Sequence, residues 1–347
     1  MSSLPAPTDT FFVQLPKVEL HRHLEGTLRL KTMLDIARTH GITLPMEQHL
    51  RALVQMQPDE PFTFSNFLSK FQTLRLFYRS PEAIARVTRE AIEDAARDQV
   101  VYLELRFTPV ALSRAEDFPL ADVMDWVCDA AREGEQATGL TTRLIASVNR
   151  HENPSLAEKV ARLAAERQSR GICGLDLAGN EVEFSARPFM GIFREARESG
   201  LHITVHAGEW RGADNVREAI EDIGAERIAH GVRVLEDPEV VALARDLGTP
   251  FEVCITSNYQ TGVFPTLRQH PLLSMLNQGL NVTINTDDPS ISQITLSNEY
   301  CLACQELGLT TAQLHGRILA AAQAAFLAED DRRALIERLE QVLATQG

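Results

Sequence analysis

Two histidines separated by one residue, His21 and His23, end a short apolar run near the start of the chain. Side chains alternate between the two faces of an extended strand, so residues two apart point the same way. Two imidazoles on one face of a strand can share a metal ion, and imidazole suits zinc. The pair alone is also typical of two polar residues at a strand end. It becomes evidence for a metal site only if further ligands follow elsewhere.

Further candidate groups lie at the ends of three later strand-like runs. His206 ends one run and is followed three residues later by Glu209, His230 ends the next, and the pair Asp287 and Asp288 ends the last. Each residue alone is compatible with a structural role, such as a solvated carboxylate, a buried histidine or a helix N-cap. Their joint placement at strand ends predicts the active site of a zinc hydrolase.

Each of these groups has a chemical role that fits its type. One Zn²⁺ is predicted, and it would lower the pKa of a bound water toward about 7. Its predicted ligands are three imidazoles and one carboxylate: His21, His23, His206 and Asp287. Glu209, kept protonated by desolvation, would donate a proton to the substrate. His230 would orient or deprotonate the attacking water, and Asp288 would face the substrate. The run 171–179 lacks a lysine that could bridge two metals, which favours one ion.

The elements that must position these groups are eight strand-like runs separated by segments of helical spacing. The runs are Lys17–Leu24, Val100–Thr108, Thr142–Asn149, Gly171–Ala178, His202–Ala207, Arg227–Gly231, Pro250–Ser257 and Asn281–Asp287. Strand–helix alternation predicts a parallel sheet, and eight units predict an α/β fold of the closed (β/α)8 TIM-barrel type. The alternative is an open doubly wound sheet, but no glycine-rich phosphate loop follows the first run.

The helical segments set the predicted domain organisation. They are Glu82–Arg97, Leu156–Gln168, Ala186–Ser199, Val216–Ile223, Pro238–Leu247 and the tail Thr311–Thr345. One domain is predicted over residues 1–347, with a loose N-terminal leader over residues 1–12. The long connection over residues 26–80 is predicted to be a helical cap insertion, with helices at Leu28–Thr39 and near Phe67–Phe77. At the carboxyl ends of the strands, it would cover the site as a lid.

Composition excludes several partner classes. The formal net charge of −14 argues against nucleic acid or an anionic membrane. No apolar run approaches the roughly 20 residues that span a bilayer, and the first residues lack a secretory signal pattern. Five scattered cysteines fit a reducing compartment, so a cytoplasmic location is predicted. The pair Cys301 and Cys304 is interpreted as small apolar residues on a helix over Leu296–Leu307. The sequence does not predict an oligomeric state.

Seven motifs connect the chain to a known family over nearly its whole length. They are Pro16-Lys-Val-Glu-Leu-His-Arg-His-Leu-Glu-Gly26, Tyr102-Leu-Glu-Leu-Arg-Phe107, Asp176-Leu-Ala-Gly-Asn-Glu181, His206-Ala-Gly-Glu209, Ala229-His-Gly231, Phe251-Glu-Val-Cys254 with Thr256-Ser-Asn258, and Asn285-Thr-Asp-Asp-Pro289. With them the chain resembles the adenosine deaminase family of the amidohydrolase superfamily. The resemblance implies a barrel with one zinc ion that removes the 6-amino group of adenosine, giving inosine and ammonia.

The same resemblance implies a role for each matched residue. Glu209 looks like the proton donor to purine N1, and His230 like the residue that handles the attacking water. Asp288 would hydrogen-bond N7, and the backbone N–H of Gly179 would meet N3. The substrate side of the site is thus predicted to include four residues: His23, Glu25, Gly179 and Asp288.

Glu25 departs from the family's pattern, in which an Asp at this position meets the ribose 5′-hydroxyl. The extra methylene affects the sugar end of the substrate and leaves the deamination untouched. Adenosine is the substrate predicted first, partly because of the nucleoside-type run Ser257-Asn-Tyr-Gln-Thr-Gly262. The alternatives are aminodeoxyfutalosine, adenine and N6-modified AMP, which similar enzymes deaminate.

Overall fold

Eight parallel strands form one sheet whose order follows the chain. The structure is a computed structural model, and it describes residues 10–345. The strands are β1 (Lys17–His23), β2 (Val100–Phe107), β3 (Thr141–Asn149), β4 (Ile172–Ala178), β5 (His202–Ala207), β6 (Arg227–His230), β7 (Pro250–Val253) and β8 (Asn281–Ile284). Each strand pairs in parallel with the next. The predicted (β/α)8 TIM barrel is confirmed.

The first and last strands meet at the carboxyl end of the barrel. The backbone N–H of His23 donates to the carbonyl of Asp287 at 2.8 Å, and the N–H of Asp287 donates to the carbonyl of His21 at 2.9 Å. The junction between β8 and β1 is therefore made at the level of the predicted metal ligands.

Helices surround the sheet, and most lie where the spacing of apolar residues predicts them. Their bounds are Thr10–Gln14, Leu30–His40, Glu47–Val54, Phe64–Leu74, Pro81–Arg97, Pro109–Ser113, Leu120–Thr138, Pro154–Ala165, Met190–Glu198, Ala213–Glu218, Pro238–Leu247, Ile255–Gln260, Leu272–Asn277, Pro289–Ser292, Leu296–Gln305, Thr311–Ala324 and Glu329–Leu343. The predicted tail helix is two helices. The seventh strand is four residues shorter than predicted, because Ile255–Gln260 is helical.

The segment after β1 contains three helices before the barrel resumes with Pro81–Arg97. Two of them match the predicted cap helices, whereas Glu47–Val54 was not predicted. The helix Phe64–Leu74 begins where the side chain of Thr63 accepts a hydrogen bond from the N–H of Asn66 at 3.3 Å. It buries Phe67, Lys70 and Leu74 on one face. This packing holds the helix against its neighbours in the segment after β1.

Residues 1–9 of the predicted leader lie outside the described residues, and its last residues begin the helix Thr10–Gln14. Cys301 and Cys304 lie on the helix Leu296–Gln305. No helix within residues 10–345 is both long and apolar enough to cross a membrane. The division into one domain with a cap insertion and the cytoplasmic location stay predictions.

Candidate active site

The four groups predicted to bind a metal lie together where β1, β5 and β8 end. Nε2 of His21 and Nε2 of His23 are 3.2 and 3.3 Å from Oδ1 of Asp287. Nε2 of His23 is also 3.3 Å from Nε2 of His206. Two ligand atoms held tetrahedrally at about 2.0–2.1 Å from one zinc are about 3.3–3.4 Å apart. The spacing therefore fits one metal ion, and the buried Nε2 of His21 has no hydrogen-bond partner among the described residues.

Two of these imidazoles are oriented by buried carboxylates behind them. Nδ1 of His21 lies 3.0 Å from Oε2 of Glu252, and Nδ1 of His206 lies 2.9 Å from Oδ1 of Asp176. A carboxylate accepts, so Nδ1 carries the proton and the Nε2 lone pair faces the cluster. Both histidines are thus held in the tautomer that binds a metal.

The carboxylate of Glu252 stays ionised because two arginines enter the barrel interior. Burial opposes ionisation, but Arg106 and Arg227 hold the pKa of Glu252 well below its usual range. Arg106 Nη2 donates to Oε2 at 2.7 Å, and Arg227 Nε donates to Oε1 at 2.6 Å. Sequence reasoning assigned these residues no role. The signal was a charged residue between two apolar ones, Phe251 and Val253, within a strand.

A second, overlapping set of ligands exists by distance alone. The ligand atoms of four buried groups lie within 4.8 Å of one another: His21, His206, His230 and Asp287. Nε2 of His230 is 3.9 Å from Oδ2 of Asp287. Burial, together with the neighbouring histidines, lowers the pKa of His230 well below its ordinary value, so its imidazole is neutral. His23 and His230 therefore both qualify by distance as the third imidazole.

Two residues of the cluster have left-handed backbone conformations. His230 has φ of 61° and Asp287 has φ of 68°. Positive φ is uncommon outside glycine and costs roughly 1–3 kcal/mol per residue, and such strain clusters at functional sites. Gly231 continues the turn with φ of 64°, where a Cβ would lie 2.4 Å from the ring of Phe251. The ends of β6 and β8 are thus strained where they present these side chains.

Glu209 faces the cluster from the loop after β5. Its Oε2 lies 3.7 Å from Nε2 of His230, and its side chain is 12% exposed. Asn258 Nδ2 donates to its Oε1 at 3.3 Å. Burial and the negative charges of Asp287 and Glu181 raise the pKa of Glu209 well above its usual range. Both effects favour the protonated form of the carboxyl group, which is the form that can donate a proton.

Two more carboxyl groups, Glu25 and Asp288, face the same space with one buried oxygen unpartnered among the described residues. Glu25 Oε1 accepts the backbone N–H of Thr108 at 2.6 Å, and burial raises its pKa to about 7. Burial and neighbouring Asp287 raise the pKa of Asp288 well above its usual range. Gly26 allows Asp288 to approach, because a Cβ on Gly26 would lie 1.9 Å from Asp288 Oδ1.

One pocket brings the predicted site residues together. Apart from the fully buried His21, all of them line it: His23, Glu25, Gly179, His206, Glu209, His230, Asp287 and Asp288. Gly179 has φ of 89°, and a Cβ there would lie 3.2 Å from the backbone nitrogen of Arg150. At this position the chain therefore presents backbone rather than side chain to the pocket.

The outer wall of the pocket comes from residues that sequence reasoning did not assign. Phe64, Phe67 and Phe71, on one helix of the segment after β1, line it together with Trp210. Arg75, just past this helix, also lines it close to Glu25. The candidate metal ligands thus lie at the base of a pocket with an aromatic wall and one cationic group.

Comparison with known proteins places this site in a family. The chain matches the adenosine deaminase family over residues 16–342. The chain belongs to the adenosine deaminase family. It is therefore a hydrolytic deaminase of a metal-dependent family with an amidohydrolase fold.

Individual relatives agree with this assignment. An adenosine deaminase of Erwinia tasmaniensis is 41% identical over 330 residues, covering 94% of this chain and 98% of the relative. The solved structure of an adenine deaminase from Arthrobacter aurescens has a TM-score of 0.88 at 26% identity, covering 95% of this chain and 99% of that one. An amidohydrolase from Burkholderia ambifaria with bound Zn has a TM-score of 0.86 at 26% identity, covering 99% and 96%.

Proposed function

We propose that this chain hydrolyses the 6-amino group of adenosine, giving inosine and ammonia. The observation that carries the proposal is the meeting, in one pocket, of a metal-ligand cluster with the carboxyl group of Glu209, whose pKa is raised by burial. The pair suits addition of water to a ring carbon next to a basic nitrogen, because it combines a nucleophile with a proton donor. The relatives named adenosine deaminase support adenosine as the substrate.

The metal is proposed to be one Zn²⁺, held by three imidazoles and one carboxylate: His21, His23, His206 and Asp287. When bound, it would lower the pKa of a coordinated water toward about 7 and so supply the nucleophile. Glu252 and Asp176 support this assignment, because they turn two of the imidazoles to present Nε2. The Zn-bound relative adds to the support.

Glu209 is proposed to protonate purine N1 while the water oxygen attacks C6. Protonation at N1 removes aromatic resistance at the adjacent carbon, and the interaction is stronger in the transition state than in the ground state. A protonated Asp288 can donate to N7, which is an acceptor, and the backbone N–H of Gly179 can donate to N3. These contacts would hold the purine with C6 toward the cluster.

Glu25 is proposed to meet the sugar end of the substrate. Its Oε2 is a buried acceptor with no hydrogen-bond partner within residues 10–345, and the neighbouring Arg75 adds a positive charge on the same side of the pocket. Adenine is the second candidate substrate, because an adenine deaminase has a similar structure. Aminodeoxyfutalosine and N6-modified AMP carry larger groups at the sugar end or on N6.

The decisive experiment compares the purified enzyme on adenosine, adenine and aminodeoxyfutalosine, following loss of the aminopurine absorbance. The highest kcat/KM for adenosine is the expected result. Negligible turnover of adenosine beside fast turnover of another compound would refute adenosine as the substrate.

The variant Glu25→Ala tests the sugar contact. It should lower kcat/KM for adenosine, through loss of a hydrogen bond of about 1–3 kcal/mol, and affect adenine much less. Equal losses on both substrates would contradict a contact between Glu25 and the sugar.

A further inference from the structure

A chain of hydrogen bonds begins behind the site at His270, which is 6% exposed. The backbone N–H of Leu272 donates to His270 Nδ1 at 3.2 Å. Burial lowers the pKa of His270 to about 3, so the imidazole is neutral and carries a single N–H. Because Nδ1 accepts, the proton of His270 lies on Nε2.

This proton fixes the orientation of the Asn258 amide. Nε2 of His270 lies 3.3 Å from Oδ1 of Asn258, and Asn258 is fully buried. A donor at Nε2 requires the amide oxygen on this side, so the NH₂ group faces the other way. Asn258 Nδ2 also lies 3.3 Å from Oε1 of Glu209, which agrees with that orientation. Because a backbone N–H can only donate, the hydrogen bond from Leu272 determines which side of the Asn258 amide carries the oxygen.

The oriented amide in turn fixes the tautomer of His230. Asn258 Nδ2 lies 3.1 Å from His230 Nδ1, so Nδ1 accepts this hydrogen bond. A neutral His230 then carries its proton on Nε2, the atom that faces Glu209 and Asp287. His21 and His206 have the opposite arrangement, because their Nδ1 atoms face carboxylates.

We infer that Asn258 and His270 are positioning residues that hold His230 as a hydrogen-bond donor, through Nε2–H, to the attacking water. This inference rests on the proposed function. His230 so held offers no lone pair to a metal, which leaves His23 as the third imidazole ligand. It also has no free nitrogen facing the water with which to remove a proton.

In the reaction, His230 and Glu209 therefore have different roles: His230 donates a hydrogen bond, and Glu209 transfers a proton. The attacking oxygen accepts the hydrogen bond from His230 and forms the bond to purine C6 as the N1–C6 double bond opens toward N1, while the proton on Nε2 stays on His230. Of the two protons of the water, one restores the Glu209 carboxyl group and one passes through it to the amine, and the C6–N6 bond then breaks to release ammonia. The hydrogen bond fixes the direction of attack and stabilises negative charge on that oxygen. Glu209 alone gives up its proton, to N1.

The direct test is nitrogen NMR of the protein labelled with ¹⁵N-histidine, with and without Zn²⁺. The two nitrogens of His230 are assigned from the signals that disappear in His230→Gln. We expect Nε2 to be protonated and Nδ1 unprotonated in both forms. A proton on Nδ1, or coordination of Zn²⁺ by Nε2, would overturn the inference. The spectrum is recorded without substrate, so its result does not depend on whether the substrate is adenosine or adenine.

The variant Asn258→Asp replaces the N–H donor that faces Nδ1 of His230 with a group that accepts a hydrogen bond when ionised. The introduced carboxylate only accepts, so the proton of His230 should move to Nδ1 once that carboxyl ionises in a series of rising pH. His270→Gln is the matched control, because its amide N–H can still donate to Asn258 and the wild-type tautomer should persist. If the tautomer of His230 stays unchanged across the whole pH series in Asn258→Asp, Asn258 does not control it and the inference is wrong.

Kinetics give a second readout for the same pair of variants. Asn258→Asp should lower kcat on the best substrate with little change in KM, because the donor acts mainly in the transition state. His270→Gln should keep most of kcat. Equal losses of kcat in the two variants, both with normal Zn²⁺ content, would contradict control by the polarity of Asn258.

Discussion

Nδ1 of His21 lies 3.0 Å from Oε2 of Glu252, and both side chains are fully buried. The carboxylate is held ionised by Arg106 and Arg227, so it accepts the imidazole proton and turns Nε2 toward the cluster. The proposed metal site therefore depends on a charged group in the interior of the barrel.

Replacing this carboxylate should weaken metal binding. Glu252→Gln keeps the shape but loses the charge that orients His21, and such changes typically cost 10- to 100-fold in metal affinity. Competition with a chelating dye would measure the Zn²⁺ affinity of the purified variant.

A second histidine–carboxylate pair provides the control. His202 Nδ1 and Glu226 Oε2 are 2.8 Å apart at the start of β5. Glu226→Gln should leave Zn²⁺ affinity at the wild-type level. Equal weakening in both variants would show that the effect is not specific to His21.

Glu209→Gln should retain Zn²⁺ and bind purine but lose roughly 10²- to 10⁴-fold in kcat, because an amide cannot supply an acidic proton. The wild-type reaction should decline as pH rises through the raised pKa of Glu209, since only the protonated form donates. Steady-state kinetics across pH would measure both effects. The exposed Glu183→Gln is the control, and near-wild-type kcat in Glu209→Gln would rule out the proposed proton donor.

Gly26→Ala tests the close approach of Asp288 to the chain after β1. The added Cβ would lie 1.9 Å from Asp288 Oδ1, so the carboxyl group must move. We expect a loss of at least about tenfold in kcat/KM, equivalent to roughly 1.4 kcal/mol. Gly191→Ala, where nothing lies within 4 Å, should have wild-type kinetics. Unchanged kinetics in Gly26→Ala would remove Asp288 from the substrate contacts.

The stability of the fold should depend on the buried carboxyl of Glu299. Burial raises its pKa to about 7 from the ordinary 4.5. Between these values the folded state binds more protons than the unfolded state, so this group lowers the free energy of unfolding as pH rises. The free energy of unfolding of Glu299→Gln, taken relative to that of wild type, should therefore rise by about 3 kcal/mol between pH 4.5 and 7.

Urea unfolding of both proteins at several pH values would measure this difference. The control is Glu306→Gln, at an exposed position just after the helix Leu296–Gln305 that carries Glu299, and its stability should follow that of wild type. Parallel pH profiles for Glu299→Gln and wild type would contradict a raised pKa at Glu299.

The strands were predictable because each ends where apolar residues give way to polar ones. Two strands end well before the predicted residue: β8 was predicted to reach Asp287 but ends at Ile284, and β7 was predicted to reach Ser257 but ends at Val253. Ile255 and Thr256 are β-branched and favour strands locally. The carboxylate of Glu299, distant in sequence, accepts the N–H of Thr256 in the first turn of the helix that forms instead. Such a long-range contact leaves no local pattern.

Glu25 and Gly179 were assigned only through the family resemblance. The proposed metal ligands, together with Glu209, His230 and Asp288, were predictable for a related reason, since barrel sites lie at strand ends and each of these residues ends a run or follows one closely. Arg75 and the aromatic wall were not. Apolar spacing predicts a helix near Phe67 but not which neighbours face the core and which face the pocket. That depends on how the helix docks, for example on the 2.6 Å ion pair between Lys70 and Glu60.

The proposed metal ligands span most of the polypeptide, from His21 on β1 to Asp287 beyond β8, and these two strands meet at the level of the ligands. During synthesis, the N-terminal ligands emerge long before their C-terminal partner. The full ligand set therefore exists only once the last strand has left the ribosome and docked. A metal held by this proposed ligand set would therefore be acquired late in maturation, after β8 has met β1.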